Sequence, residues 1–216
     1  MYVIMPLRYK WDDNKLDCYG IDAKYIRIGA NFQIGNNVKI KCYRFEVGNN
    51  FRVADNVEID VSGGMTKQSN FIAGDNCLLC KDVYVNCCRE VILGNHVCFS
   101  PRAMVFTHRY WQDVRKGYDN AFKPVIFGNE SWLGAGAVVL PGCEIGQGSI
   151  IMANSTVIGN VPERTLYGGV PAVKLKDIRD KDNFVQGEYD EYVRLREEFL
   201  GHKEDEKESL RRFGII

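Results

Sequence analysis

The feature that most constrains the fold is a six-residue period that runs from Phe127 to Ile158. Large apolar side chains stand at every sixth position, and they are Phe127, Leu133, Val139, Ile145, Ile151 and Val157. Four positions after each of the first five stands a small residue, and these are Ser131, Ala137, Cys143, Ser149 and Ser155. Because six is an even number, a strand places all the apolar residues on one face, whereas a helix spreads them around its axis. The period therefore predicts strands and excludes an amphipathic helix.

A hexapeptide period is typical of a solenoid of parallel strands, a β-helix. Each turn buries its apolar residue against the turns above and below it, and the small residues fit the tight corners. The period also runs upstream, from Ile28 to Ile40, from Val47 to Ile59, from Ala73 to Val85 and from Leu93 to Val105. The alternative that this pattern leaves open is a sandwich with evenly spaced strands.

Composition and charge narrow the class of protein. The chain has 216 residues with 45% hydrophobic content, as in an ordinary globular domain. Its 28 Lys and Arg residues balance 28 Asp and Glu residues, so bulk charge does not favour nucleic acid as a partner. No segment resembles a signal peptide or a membrane span. We therefore expect a cytoplasmic protein without a membrane span.

The eight cysteines raise the question of a metal site. Cys77 and Cys80 form a C-x-x-C pair, but Cys87 and Cys88, which follow, lack the spacing of a second pair of zinc ligands. The repeat places Cys77 and Cys143 at small corner positions, where reduced thiols pack as small apolar groups. We therefore predict no metal.

The repeat also predicts how the chain is organised. Residues 1–27 form an N-terminal cap, residues 28–176 form the β-helix, and residues 177–216 form a helical tail. The tail has apolar residues every three or four positions, as in an amphipathic α-helix, and these are Val185, Tyr189, Tyr192, Leu195 and Phe199. Two interruptions of the period predict a loop at Ser62–Asn70 and a projecting arm at residues 106–124.

The arm is the first candidate for a functional segment. It is rich in polar, titratable and aromatic side chains, among them His108, Tyr110 and Trp111. Long ordered loops on rigid scaffolds often carry binding and catalytic residues. We therefore expect this arm to form part of a site.

At this point the sequence resembles a known family. The segment GNESWLGAGAVVLPGCEIGQGSIIMANSTVIGNVPERTLYGGVPAVKLK, with the upstream FTH of the arm, is similar to the hexapeptide-repeat acyltransferases. The similarity is strongest to the branch of galactoside, maltose, xenobiotic and polysaccharide O-acetyltransferases. It covers residues 28–176 and is closest over 93–176. An arm histidine followed by W-L-G-x-G-A and then G-x-P-A is a specific combination, which the hexapeptide period alone is not.

The resemblance implies a left-handed β-helix, although crossovers between parallel strands are usually right-handed. It further implies a homotrimer with active sites between neighbouring subunits, and acetyl-CoA as the co-substrate in the groove between them. His108 matches the arm histidine that acts as general base, which suits an imidazole that titrates near neutral pH. No motif for a covalent nucleophile accompanies it. We expect His96 and His202 to be ordinary structural or surface residues.

The resemblance also assigns residues to the cofactor. Ala135 matches a residue whose backbone N–H faces the thioester oxygen, and Ala153 matches a backbone contact to pantetheine. Trp132 matches a tryptophan beside the site, and a core or interface aromatic residue is the alternative. Lys174 and Lys176 are expected to contact the CoA phosphates.

Two departures from the family pattern affect this phosphate contact. Ile158-Gly159 replaces the Thr-Lys of many relatives, and Val173 stands where a basic residue usually follows Pro-Ala. The flexible side chains of Lys174 and Lys176 are expected to compensate.

For the acceptor, the resemblance assigns Asn86, and the arm contributes Tyr110 and Trp111 as stacking and hydrogen-bonding groups. The predicted reaction is acetyl transfer from acetyl-CoA to a hydroxyl of a sugar or polysaccharide precursor. An antibiotic acetyltransferase, an amino-sugar N-acetyltransferase and a non-catalytic solenoid are the alternatives. A carbonic anhydrase of this fold would need three zinc-binding histidines on adjacent turns, whereas the whole chain has 3 histidines and His202 lies in the tail. A sugar nucleotidyltransferase would need a preceding nucleotide-binding domain, for which the N-terminal segment is too short.

Overall fold

The structure is a computed structural model, and it describes residues 3–5, 20–62, 64–109, 113–118 and 120–179. The chain divides into two compact units, Met1–Ile178 and Arg179–Ile216. The predicted helical tail began at residue 177, but Asp177 is the last residue of a β-strand, Ala172–Asp177, and residues 180–216 of the tail lie outside the described residues. Tyr110 and Trp111 also lie outside them.

The described part of the first unit is built almost entirely of short strands. Before the arm these are β1 (Val3–Met5), β2 (Ile21–Ile28), β3 (Phe32–Ile34), β4 (Lys39–Val47), β5 (Arg52–Val53), β6 (Glu58–Asp60), β7 (Asn70–Ala73), β8 (Leu78–Leu79), β9 (Tyr84–Asn86), β10 (Val91–Leu93), β11 (Cys98–Phe99) and β12 (Met104–Phe106). The arm contains β13 (His108–Arg109), a 3₁₀ helix (Val114–Lys116) and β14 (Ala121–Phe122). After the arm come β15 (Val125–Phe127), β16 (Trp132–Leu133), β17 (Val138–Val139), β18 (Glu144–Ile145), β19 (Ile150–Ile151), β20 (Thr156–Val157), β21 (Thr165–Gly169) and β22 (Ala172–Asp177).

The strands stack in parallel into three flat faces. Face 1 contains β3, β5, β8, β11, β16, β19 and β21, in that order. Face 2 contains the start of β4 and then β6, β9, β12, β17 and β20, and face 3 contains the end of β4 and then β7, β10, β15 and β18. The chain visits face 3, face 1 and face 2 in turn, so that each coil lies on the one before it. The result is a three-sided parallel β-helix.

The burial pattern confirms the six-residue period. The apolar residues at the repeated positions from Phe127 to Val157 are 0–2% exposed, and so are the small corner residues between them. The register is the predicted one, since Phe127 pairs with Ile145 and Leu133 pairs with Ile151. Because each coil contributes one apolar residue per face, the core is a continuous column along the helix axis.

The corner between face 3 and face 1 is held by a ladder of side-chain amides and a carboxylate. Asn49, Asp75, Asn95 and Asn129 each accept a hydrogen bond, through Oδ1, from a backbone N–H of the preceding coil at 2.6–2.9 Å. The glycine before each of these residues leaves room for the ladder, since a Cβ on Gly94 would lie 2.4 Å from Asn129 Oδ1. The glycines of the repeat are therefore a packing requirement.

The first coil begins earlier than predicted. Strand β2 starts at Ile21, within the segment assigned to the cap, and pairs in parallel with β4 from Ile21–Ile40 to Ile28–Val47. Ile21, Ala23, Ile26 and Ile28 point into the core. The hexapeptide period missed this strand because its buried residues are spaced by two and three positions. The expected boundary at residue 28 is therefore corrected to Ile21.

The two ends of the coil and its two interruptions, the loop and the arm, are formed by the following elements. Strand β1 pairs antiparallel with β3, at the N-terminal end of face 1. The loop falls between β6 and β7, and the arm leaves the corner between face 2 and face 3. At the other end, β22 turns back on β21 as an antiparallel hairpin. Among the described residues, no helix is long and apolar enough to cross a membrane.

Candidate active site

The arm folds back so that His108 lies against the corner between face 2 and face 3. Strands β13 and β14 form a two-stranded hairpin in which His108 pairs with Phe122. His108 Nδ1 lies 2.6 Å from Oδ1 of Asn86, the last residue of β9. Asn86 in turn pairs in register with Phe106, two residues before His108. The β-helix therefore provides a rigid partner for the arm histidine.

The hydrogen bonds around Asn86 fix the orientation of its amide. The backbone N–H of Cys88 points at Asn86 Oδ1 at 3.5 Å, and Asn86 Nδ2 donates to Ser62 Oγ at 3.1 Å. Because a backbone N–H can only donate, the atom facing both Cys88 and His108 is the amide oxygen. His108 Nδ1 must then carry the proton, which leaves a lone pair on Nε2.

Thr107 ties this pair to the coil. Its Oγ1 lies 3.0 Å from the backbone oxygen of Asn86 and 3.2 Å from Asn86 Oδ1, and it accepts the backbone N–H of Arg89 at 3.0 Å. Thr107 and Asn86 are both 0% exposed. Buried and fully bonded, they restrict the position of His108 at the foot of the arm.

An aromatic ring stacks against the imidazole, and a guanidinium group lies over that aromatic ring. The Phe122 ring lies parallel to the His108 ring, with centroids 5.7 Å apart and planes inclined by 23°. The Arg89 guanidinium lies 5.0 Å from the centroid of the Phe122 ring. These neighbours leave His108 half-buried, and burial lowers its pKa below the usual 6.5. The imidazole is therefore neutral at neutral pH, with Nε2 able to accept a proton.

The structure places Asn86 beneath His108, with no exposed side-chain surface. Within the described part of the chain, the Asn86 side chain therefore has no accessible atom with which to make the predicted contact with the acceptor. Its position instead suits it to orient His108. Sequence reasoning missed Thr107, Phe122, Arg89 and Ser62. Phe122 lay within the predicted arm, but only the hairpin register brings it to His108.

The residues predicted to bind the cofactor lie at a different corner, between face 1 and face 2. Ala135 stands between β16 and β17, and Ala153 stands one coil above it between β19 and β20. Both residues are exposed. The Ala135 carbonyl accepts the N–H of Asn154 at 2.8 Å, but within the described part of the chain the N–H groups of Ala135 and Ala153 have no hydrogen-bond partner. Two backbone donors without a partner in the described chain therefore lie along one edge.

Trp132 lies on face 1 beside this edge. Its indole Nε1 donates to Ser100 Oγ at 2.7 Å, yet the side chain is 49% exposed. The hydrogen bond orients the ring, and the exposed part is available for contact. Trp132 is therefore not a core residue, which was one of its predicted alternatives. A contact with a ligand or with another subunit remains compatible with its position.

Lys174 and Lys176 lie on the exposed hairpin strand β22. Lys174 Nζ forms an ion pair with Asp177 Oδ1 at 2.7 Å. Ion pairs this exposed are worth little, so the ammonium group can exchange partners. Val173, at the usual basic position, is 56% exposed.

Within one chain, His108 and the residues predicted to bind the cofactor lie at different corners of the β-helix. His108 lies at one edge of face 2, whereas Ala135 and Ala153 lie at the other. A face of about five extended residues is roughly 16 Å wide. Within the residues that the structure describes, no cluster of three or more His, Cys, Asp or Glu side chains is placed to hold a metal ion.

Comparison with known proteins agrees with this architecture. Residues 124–159 match the family model described as bacterial transferase hexapeptide (six repeats). The galactoside O-acetyltransferase of Lactococcus lactis is 37% identical over 95 residues, covering 43% of this chain and 46% of that protein. An Escherichia coli protein described as a lipopolysaccharide biosynthesis O-acetyl transferase is 28% identical over 162 residues, covering 75% and 76%. The matched segment spans about half the length of several of the curated relatives that the chain matches.

Among solved structures, AntD, an N-acyltransferase from Bacillus cereus in complex with dTDP and 3-hydroxybutyryl-CoA, aligns with a TM-score of 0.58. The alignment covers 91% of this chain and 98% of that chain at 17% identity, so it supports the fold alone. The fold of this chain is a left-handed parallel β-helix built from hexapeptide repeats. The chain thus carries a hexapeptide-repeat segment over residues 124–159 and is similar in sequence to named acetyltransferases.

Proposed function

We propose that this protein transfers an acetyl group from acetyl-CoA to a hydroxyl of a sugar or polysaccharide precursor, with His108 as the general base. The observation that carries the proposal is the contact between His108 Nδ1 and Asn86 Oδ1 at 2.6 Å. It leaves Nε2 as a free base on a neutral imidazole. Acyl transfer from a thioester needs such a base, because the attacking hydroxyl must lose its proton.

The reaction then follows from the positions of the other groups. The acceptor hydroxyl donates its proton to His108 Nε2 as its oxygen attacks the thioester carbonyl. Negative charge develops on the carbonyl oxygen, where the unpaired N–H of Ala135 is available to stabilise it. The CoA thiolate leaves and takes up the proton held by the imidazolium.

The edge between face 1 and face 2 fits an acyl-CoA. Ala153 is an exposed residue one coil from Ala135, and we propose that the N–H groups of both bond to an extended pantetheine chain. Their small side chains permit a close approach to the main chain. Lys174 and Lys176, exposed on β22, supply cations for the phosphates.

The separation of His108 from Ala135 supports a shared site. Since a whole face lies between them on one chain, we propose that the base of one subunit meets the Ala135–Ala153 edge of its neighbour in a homotrimer. Three identical subunits related by a threefold axis repeat this contact and close it into a ring.

The choice of a saccharide acceptor rests on the relatives. The two O-acetyltransferases described above are named for galactosides and for lipopolysaccharide biosynthesis. Tyr110 and Trp111, which follow His108 closely in the sequence, are proposed to stack on the sugar.

A thiol-release assay with acetyl-CoA tests the proposal. The acceptor panel pairs neutral sugars with the matching amino sugars, because N-acetylation would use the same base. We expect CoA release that depends on a hydroxyl acceptor and an acetyl ester that alkali removes. Release only with the amino sugars would assign N-acetylation instead, and no release with any acceptor would refute the proposed reaction.

A further inference from the structure

A pair of cysteines on face 1 differs from the other cysteines of the described chain. Seven cysteines are described as free thiols, and five of them are buried, namely Cys42, Cys77, Cys87, Cys88 and Cys143. Cys80 and Cys98 alone among these seven are partly exposed. Corner packing explains a buried thiol such as Cys77, but it does not explain two neighbouring thiols that face outward.

The strand register places the two thiols side by side. Strands β8 and β11 are adjacent, with Leu79 paired to Phe99, and the backbone N–H of Cys80 donates to the Phe99 oxygen at 2.9 Å. Since Leu79 and Phe99 point into the core, the residues next to them, Cys80 and Cys98, turn outward. They are diagonal neighbours on the same side of one sheet, within reach of each other's side chains.

The surroundings give the two thiols different acidities. The neighbouring Cys98 thiol lowers the pKa of Cys80 to about 7, with burial opposing and the Arg52 guanidinium assisting. The same contact with Cys80 raises the pKa of Cys98. The other charges nearby are Lys81 and Asp55, which form an ion pair at 3.6 Å on the adjoining corner. The lower pKa favours Cys80 as the thiolate and the nucleophile.

We propose that Cys80 and Cys98 form a thiol–disulfide exchange site that reacts with low-molecular-weight disulfides. The Cys80 thiolate attacks one sulfur of the disulfide, the S–S bond breaks, and the released thiolate takes up a proton. Cys98 then loses its proton to solvent and attacks the Cys80 sulfur of the mixed disulfide, which releases the second small thiol. Two protein thiols are oxidised and one disulfide is reduced to two thiols.

The geometry sets the order of products. Diagonal neighbours have Cα atoms about 7–8 Å apart, slightly farther than a disulfide usually spans. The second step therefore needs a shift of the corner that follows Cys80. The mixed disulfide on Cys80 is the expected first product, and the Cys80–Cys98 bridge is the later one.

Oxidised glutathione is the probe for the test. The full-length protein is incubated with it and analysed by intact mass and by peptide mapping without reduction. We expect a glutathione adduct on Cys80 that converts to a Cys80–Cys98 bridge, while the five buried thiols stay free. In Cys98→Ser the hydroxyl cannot resolve the adduct, so the adduct should persist.

The pH dependence of alkylation by iodoacetamide measures the pKa of the Cys80 thiol in a separate experiment. The alkylation rate of Cys80 should rise with pH around a midpoint of about 7, and Cys98→Val should move this midpoint upward because the thiol that lowers the pKa of Cys80 is lost. Cys98→Ser should leave it near the wild-type position. Oxidised glutathione that leaves Cys80 free, or an alkylation midpoint that Cys98→Val does not change, would overturn the proposal.

Discussion

Replacing Asn86 with Asp isolates the contact that orients His108. The carboxylate keeps an oxygen at the position of Asn86 Oδ1, 2.6 Å from His108 Nδ1, so the geometry is retained. The change adds a negative charge that stabilises the imidazolium form. The pKa of His108, which burial lowers in the wild type, should therefore rise.

The size of the rise follows from the distance. Two unit charges about 5 Å apart at an effective dielectric constant of about 20 attract by roughly 3 kcal/mol, which corresponds to about 2 pKa units. Asn86 is 0% exposed, so burial of the new carboxylate opposes part of this gain. The net rise should be about 1 to 2 units.

The pH dependence of kcat/KM is the assay, together with an NMR titration of His108 in a chain that has only 3 histidines. Because the base must be unprotonated, the variant should lose up to about 25-fold at pH 7 and recover as pH rises above the new pKa. Asn129→Asp, in the corner ladder where Asp75 already fills an equivalent position, is the control. An Asn86→Asp variant with an unchanged His108 pKa would refute this reading of the contact.

Three further predictions concern the core, the stacked ring and the shared site. Ser149→Leu should cost about 2 to 5 kcal/mol in chemical unfolding, because it overpacks a buried corner and removes the hydroxyl that donates to a backbone carbonyl at 2.6 Å. Gln147→Ala, on the exposed side, should stay within about 0.5 kcal/mol, and equal stability of the two variants would refute the register. Phe122→Leu should lower kcat more than it changes KM, and it should raise the pKa of His108 toward 6.5. Phe122→Tyr should restore both kcat and the pKa of His108. If the pH profile of Phe122→Leu equals that of the wild type, Phe122 does not position His108. Mixed oligomers of His108→Ala and Ala153→Trp subunits should regain part of the activity that each variant lacks alone, and full activity of wild-type monomers would contradict the shared site.

The part of the fold that sequence could predict is the part with a strict period. From Phe127 to Val157 the register follows directly from the spacing, since each coil repeats the same steric requirement. The buried residues of strand β2 lack that spacing, so the prediction placed Ile21 in the N-terminal cap. The amide ladder that includes Asn95 and Asn129 was also missed, because Asn after Gly reads as an ordinary turn.

The candidate site was predicted only as far as the resemblance reached. His108 was identified, but its contacts with Asn86 and Phe122 depend on how the arm hairpin folds onto the corner. Neither periodicity nor residue type specifies that contact. The structure also changed the expected place of Asn86, because burial beside Thr107 becomes visible only when adjacent coils are stacked.

The central claim is that His108 supplies the base for acyl transfer, and turnover of His108→Ala tests it most directly. With acetyl-CoA and the best acceptor from the panel, the variant should lose about 10² to 10⁴-fold in rate and keep the wild-type unfolding transition, because the arm lies outside the stacked core. His96→Asn is the matched control, since His96 takes a left-handed conformation with φ of 59° that Asn76 shares one coil below. Its turnover should equal that of the wild type. Near-normal turnover by His108→Ala would contradict the account.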